Sequence, residues 1–178
     1  YLQHAPPSAF KIRAALAATL SSSWGMYSGY ELCENKPLTG REEYLDSEKY
    51  QLKTRDWDKA GNIKPFLTRL NRARRENAAF HSYANIEFLP CDNENLIAFY
   101  KWSDDRSNIV LVVVNLDPHR RHESNIHLPL SDMGITPGTS FTVSDLIYEE
   151  AYTWRESTNF VALDPRTKPV HVFLVERS

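Results

Sequence analysis

The sequence predicts an α+β chain in which a helix–strand–helix segment precedes an all-β antiparallel sandwich. Residues 9–20 form an alanine-rich apolar stretch and 63–79 carry apolar residues at helical spacing, with a short aromatic run between them. Beyond Phe80 the texture changes to about seven short strand-like runs separated by polar turns, the density of strands that marks a sandwich or barrel. The change falls near 80–85, so the chain divides into 1–82 and 83–178.

In order along the chain, Ser8 is placed to cap the first helix, which is alanine-rich and apolar on nearly every side and so calls for burial all round. Residues 21–25 break the pattern. Residues 26–31 are short, aromatic and interrupted by Gly29, which predicts a buried strand closely approached by backbone and, with the preceding helix, half of an α/β unit. Residues 33–61 are charged, with Tyr44, Tyr50 and Trp57 interspersed and no period. A loop longer than about 12–15 residues is uncommon unless it is functional or disordered, and the aromatic anchors favour an ordered functional loop. Asn62 suits an N-cap and Pro65 the first turn of the second helix, whose Ile63, Phe66, Leu67, Leu70 and Ala73 form one face and Arg69, Arg72 and Arg75 another. Those arginines read as a solvated face or as an RNA-binding stripe, and no recognition motif supports the second. The strand-like runs are 86–89, 96–102, 109–116, 126–130, 140–146, 159–163 and 170–176.

With 178 residues, 42% of them hydrophobic, the chain can bury a core as one large or two small domains. Its formal net charge of −2 gives no general pull toward nucleic acid or an anionic membrane. No apolar stretch approaches the roughly 20 residues that span a bilayer. Cys33 and Cys91 have no partners at metal-ligand spacing, and they fit two buried thiols of a reducing, cytoplasmic compartment better than a single disulfide. The chain opens Tyr1-Leu2-Gln3-His4 on an apolar segment without an evident partner, which predicts a piece of a longer protein. Alone, residues 1–80 would then be mobile or would associate through apolar faces, and no activity is expected.

The densest candidate chemistry is 42–50, Glu-Glu-Tyr-Leu-Asp-Ser-Glu-Lys-Tyr, followed by Arg55-Asp56-Trp57-Asp58. Aromatic faces stack on the C–H surfaces of a sugar while carboxylates bond its hydroxyls, although any charged loop offers this inventory. Lys49 beside Tyr50 could hold a phosphate monoester. Glycoside chemistry needs two carboxyl groups across the scissile bond, and the spacing of Glu31, Glu34, Asp46, Asp56 and Asp58 selects no pair. The chain has no glycine-rich phosphate loop and no Gly-x-Ser-x-Gly elbow. His119, His122 and His127 lie about a turn without zinc-protease spacing, and His171 reads as a sheet residue.

Gly25-Met26-Tyr27-Ser28-Gly29-Tyr30-Glu31 resembles the eighth barrel strand of family 13 of the glycoside hydrolases, with its Tyr-x-Gly-x-Glu pattern. The helix ending Arg74-Arg75-Glu76-Asn77 is similar to that family's last barrel helix, and the β-rich remainder, with Val113-Val114-Asn115-Leu116-Asp117 and Leu163-Asp164-Pro165, to its domain C. Glu31-Leu32-Cys33-Glu34-Asn35, the loop from Glu43 to Tyr50, and Arg55-Asp56-Trp57-Asp58 resemble, more specifically, the α-1,4-glucan:maltose-1-phosphate maltosyltransferases. Ordinary amylases and trehalose synthases differ in this loop.

The resemblance implies the last helix–strand–helix portion of a (β/α)8 TIM barrel, with an active-site loop at 33–61, followed by domain C. It implies a retaining transfer of maltosyl units from α-maltose 1-phosphate to an α-1,4-glucan, with no metal, cofactor, nucleic acid or membrane, by a homodimeric full-length enzyme. The nucleophile and acid/base of that family lie on earlier strands, so no catalytic residue is expected in this chain. Lys49 and Tyr50 correspond to the pair that holds the donor phosphate. Glu31, at a strand end, would neighbour the active site, either orienting other groups or touching substrate. Other readings are a β-sandwich that buttresses the barrel or binds glucan through exposed Tyr100, Trp102, Tyr148, Tyr152 or Trp154, and another family 13 hydrolase or isomerase.

Overall fold

The computed structural model describes residues 1–41, 43–45 and 52–177. Among them are two α-helices, α1 (Pro7–Leu20) and α2 (Lys64–Glu76). Eight strands follow: β1 (Ile86–Leu89), β2 (Leu96–Trp102), β3 (Ile109–Asn115), β4 (His122–His127), β5 (Phe141–Asp145), β6 (Ala151–Trp154), β7 (Thr158–Leu163) and β8 (Val170–Glu176). All pairings are antiparallel, in a six-stranded sheet ordered β1-β2-β3-β8-β5-β6 and a two-stranded sheet of β4 and β7.

The large sheet is the middle layer. Because alternate side chains of a strand point to opposite faces, β3 serves two cores. Val110, Val112 and Val114 pack with Phe10, Ala14 and Ala18 of α1 and Phe66, Leu67 and Leu70 of α2. Ile109, Leu111 and Val113 pack instead with Ile126, Val161 and Leu163 of the small sheet. Every residue of β3 is therefore buried, which is why its sequence is a continuous apolar run. The α+β composition and the sandwich follow the sequence reading.

Local differences have physical causes. Ser8 lies inside α1, which is capped by Pro6, and its hydroxyl donates to the carbonyl of Pro118 at 2.7 Å, fastening the helix to the turn after β3. α1 is buried along most of its surface, yet Arg13 and Ala17 remain exposed. Asn62 is not the N-cap of α2, a position that Ile63 takes without a side-chain cap; one residue earlier, its side chain accepts from the Lys64 N–H at 3.2 Å. α2 stops at Glu76, three residues early, because Asn77 turns extended and its buried amide donates back to Ala73 O at 2.8 Å.

Two of the arginines of α2 are internal fasteners. Arg69 reaches Ile147 O at 2.9 Å, and Arg74 reaches the carbonyls of Ala18, Ser21 and Ser22 at the end of α1.

The expected strand at 26–31 is absent. Residues 26–27 are irregular, Met26 and Tyr27 are 44% and 39% exposed, and Tyr30–Leu32 forms a 3-10 turn. A strand needs a neighbour for its ladder, none among the described residues pairs with this run, and Gly29 at φ 103° turns the backbone away from extension. Among the described residues no helix is long and apolar enough to cross a membrane.

Candidate functional site

The described part of the loop is built on the turn after α1. Tyr30 anchors it: its ring meets Phe10 of α1 edge-on at 5.1 Å and its hydroxyl donates to Phe10 O at 2.6 Å. Tyr27 packs at 5.4 Å on Tyr30 and at 5.6 Å on Tyr44, and its hydroxyl donates to Glu34 O at 2.8 Å. Burial, then the neighbouring Tyr44, holds the Tyr27 phenol well above its ordinary pKa, so it stays a neutral donor. The outgoing limb forms a small hairpin, with Leu38 N–H donating to Glu43 O at 2.8 Å and Leu45 N–H to Lys36 O at 2.7 Å.

Glu34 gathers the charges of the site. Its carboxylate accepts from Lys53 at 2.9 Å and from Arg55 Nε at 3.2 Å, and Arg55 Nη2 also donates to Ser28 O at 3.0 Å. Partial burial acts to raise the Glu34 pKa, but the hydrogen bonds and charges of Lys53 and Arg55 outweigh it, leaving the group below the ordinary carboxylate value. The sequence placed Glu34 and Arg55 in the loop but could not pair them, since nothing in a separation of 21 residues signals contact.

Glu31 lies in the 3-10 turn, not at a strand end. Its carboxylate accepts from Gly29 N–H at 3.1 Å and its carbonyl accepts from Ile63 N–H at 2.8 Å, so it braces the turn against the start of α2. Lys49 and Tyr50 lie outside the described residues, as does Asp46. Asp56 caps its own turn through Asp58 N–H at 3.0 Å, and Asp58 faces Lys64 at 3.4 Å. Among the described residues of this segment, Lys53 and Arg55 are engaged by Glu34, and the Tyr27 and Tyr30 hydroxyls by backbone carbonyls.

Elsewhere, His122 pairs with Asp117 at 3.2 Å, His127 with Asp92 at 2.8 Å, and buried His171 with Asp145. Among the described residues no three His, Cys, Asp or Glu side chains converge as a metal site. Both cysteines are free. Tyr100 is buried, and Trp154 stands edge-on against Phe141 at 6.2 Å and Phe173 at 5.5 Å. Trp102 lies under the Arg106 guanidinium at 4.8 Å, Tyr148 beneath Lys168 at 5.5 Å, and Tyr152 is partly exposed at a sheet edge.

The layered arrangement defines a class first. The chain aligns over 99% of its length with 38% of a maltogenic α-amylase from Thermotoga neapolitana, at TM-score 0.69 and 13% identity. It aligns over 97% of its length with 34% of the α-amylase from Geobacillus thermoleovorans, at TM-score 0.69 and 14% identity. This is the fold of the C-terminal part of an α-amylase.

Sequence narrows the class. A family model described as GLGE, C-terminal, matches residues 88–175. Alpha-1,4-glucan:maltose-1-phosphate maltosyltransferase 2 of Streptomyces coelicolor is 51% identical over 99% of this chain and 27% of its own length. The maltosyltransferase of Myxococcus xanthus is 43% identical over 99% of this chain and 26% of its own length. Over nearly its whole length the chain is similar to α-1,4-glucan:maltose-1-phosphate maltosyltransferases, and it spans about a quarter of the length of the curated relatives it matches.

Proposed function

We propose that the chain is the C-terminal portion of a retaining glycosyltransferase that moves maltosyl units from α-maltose 1-phosphate onto the non-reducing ends of α-1,4-glucans, in glycogen-type synthesis. The observation that carries this is the 51% identity with a maltosyltransferase across 99% of the chain, a span that includes the loop. In this reading residues 1–82 complete a (β/α)8 barrel supplied by the rest of the protein, with 33–61 at its active site, and 83–178 form domain C. The enzyme works as a cytoplasmic homodimer without cofactor or metal.

A retaining transfer needs a carboxylate nucleophile, which forms a glycosyl-enzyme as phosphate leaves, and an acid/base that then activates the acceptor hydroxyl. Both lie upstream of this chain. The part assigned to this chain is to hold the leaving group: Lys49 donates from an ammonium and Tyr50 from a phenol to the phosphate oxygens. Glu31 acts through the turn it braces. Domain C is a buttress more than a glucan platform, a reading favoured by Tyr100, Trp102 and Trp154 being packed against protein groups.

The test is orthophosphate release from α-maltose 1-phosphate plus glycogen by the longest natural polypeptide containing the chain. Release that depends on both substrates supports the reading, and starch hydrolysis indifferent to α-maltose 1-phosphate supports a hydrolase instead. Lys49→Ala should raise the donor KM at least tenfold, on the order of one charge-assisted contact; unchanged donor kinetics would refute the phosphate role.

A further inference from the structure

One carboxylate fastens the returning limb of the loop to its outgoing limb. Glu34 accepts from Lys53 at 2.9 Å and from Arg55 Nε at 3.2 and 3.3 Å, and Arg55 continues to Ser28 O at 3.0 Å. The side chains of Lys53 and Arg55 are only 28% and 16% exposed, so this is not a loose surface pair of the kind that contributes little. The other side of the carboxylate rests over Gly29. A Cβ at that position would fall 2.3 Å from Glu34 Oε2 and 2.8 Å from its Cδ, and the backbone there has φ 103°. The glycine of the Tyr-x-Gly pattern thus reserves the place that the carboxylate fills. The backbone agrees, since Glu34 N–H donates to Gly29 O at 3.1 Å.

We propose that Glu34 is a positioning residue for donor use: by gathering Lys53 and Arg55 onto the Ser28–Gly29 turn it sets where the two limbs of the loop stand relative to an anionic substrate. The proposal rests on the assignment of 33–61 to the donor side of the active site. It separates from a simple charge effect by sign. If Glu34 only lent its negative charge, its removal would leave Lys53 and Arg55 unneutralised and strengthen binding of a phosphate. If it positions the limbs, its removal lets them part and weakens that binding. A neutral glucan acceptor responds to neither change in charge.

The experiment uses the longest natural polypeptide, with KM for α-maltose 1-phosphate, KM for glycogen, kcat and the thermal midpoint measured for wild type, Glu34→Gln and Arg55→Lys. Glu34→Gln should raise the donor KM on the order of tenfold, about the loss of one charged hydrogen bond. Its glycogen KM should stay within about twofold, a change worth less than 0.5 kcal/mol. Arg55→Lys keeps the charge but loses the bridge to Ser28, and should fall between the two; it also serves as the test if Glu34→Gln does not fold. A donor KM unchanged or lowered in both variants overturns the positioning role, and so does a parallel loss toward donor and acceptor that tracks a fall in thermal midpoint. Wild-type protein inert toward the donor overturns the donor-side assignment along with it.

Discussion

Replacing Arg74 tests how the two helices hold each other. α1 has no basic residue in its last turn and no side-chain cap, so its final carbonyls need outside partners. Arg74 of α2 supplies them, donating to Ala18, Ser21 and Ser22, the last two at 2.9 Å. A hydrogen bond to a charged group contributes about 1.5–3 kcal/mol. Because the guanidinium is only part-buried and is shared among three carbonyls, each contact is discounted below that range to about 1 kcal/mol, or about 3 kcal/mol in all. At 1.4 kcal/mol per tenfold, Arg74→Ala should speed amide exchange in the last turn of α1 by roughly 100-fold. Arg74→Lys, with one point donor in place of a planar fork, should keep about a third of that protection. Hydrogen–deuterium exchange of a peptide covering 14–23 reads both. Exchange in Arg74→Ala within about threefold of wild type, or complete rescue by lysine, would refute the reasoning.

Core and turn residues give two further tests. Leu111→Ala, at the centre of β3 and fully buried, should cost about 2–5 kcal/mol. Phe160→Ala, at a side 60% exposed, should stay within about 0.5 kcal/mol, so comparable urea midpoints for the two would contradict the layer assignment. The Asp105 carboxyl is held down to about 2 by the Ser103 hydroxyl, then by the Ser107 N–H and hydroxyl. A depressed pKa means its contribution is present above the ordinary 3.8 and is lost as pH falls through about 2. Asp105→Asn should therefore flatten the acid limb of the stability profile in that window, and an unchanged limb would contradict the turn assignment.

Legibility from sequence followed what each element packs against. β3 is readable because burial on both faces leaves a continuous apolar run, and β8 because its run is broken only by His171 before the terminal Glu176. β4 was misplaced to 126–130: in His122–His127 only Ile126 is apolar, while Ser124 fills the other inward position, and Pro129 interrupts the stretch expected. β6 was missed because it is an edge strand with little burial and so carries no alternation. The run at 26–31 has strand composition, but composition cannot supply the neighbour that a ladder requires. In the loop, the missing period marked an irregular segment, whereas the Glu34–Arg55 clasp depends on how two limbs fold back, which spacing does not encode. The arginines of α2 illustrate the same limit: the spacing marked a basic face, but not that Arg74 would turn inward to α1.

The most direct test of the central claim is the mass distribution of products after the longest natural polypeptide acts on α-maltose 1-phosphate and maltohexaose. Acceptors extended in steps of two glucosyl units, with one orthophosphate released per step, are the expected result. Steps of one unit, shortened acceptors, or elongation without phosphate would contradict it.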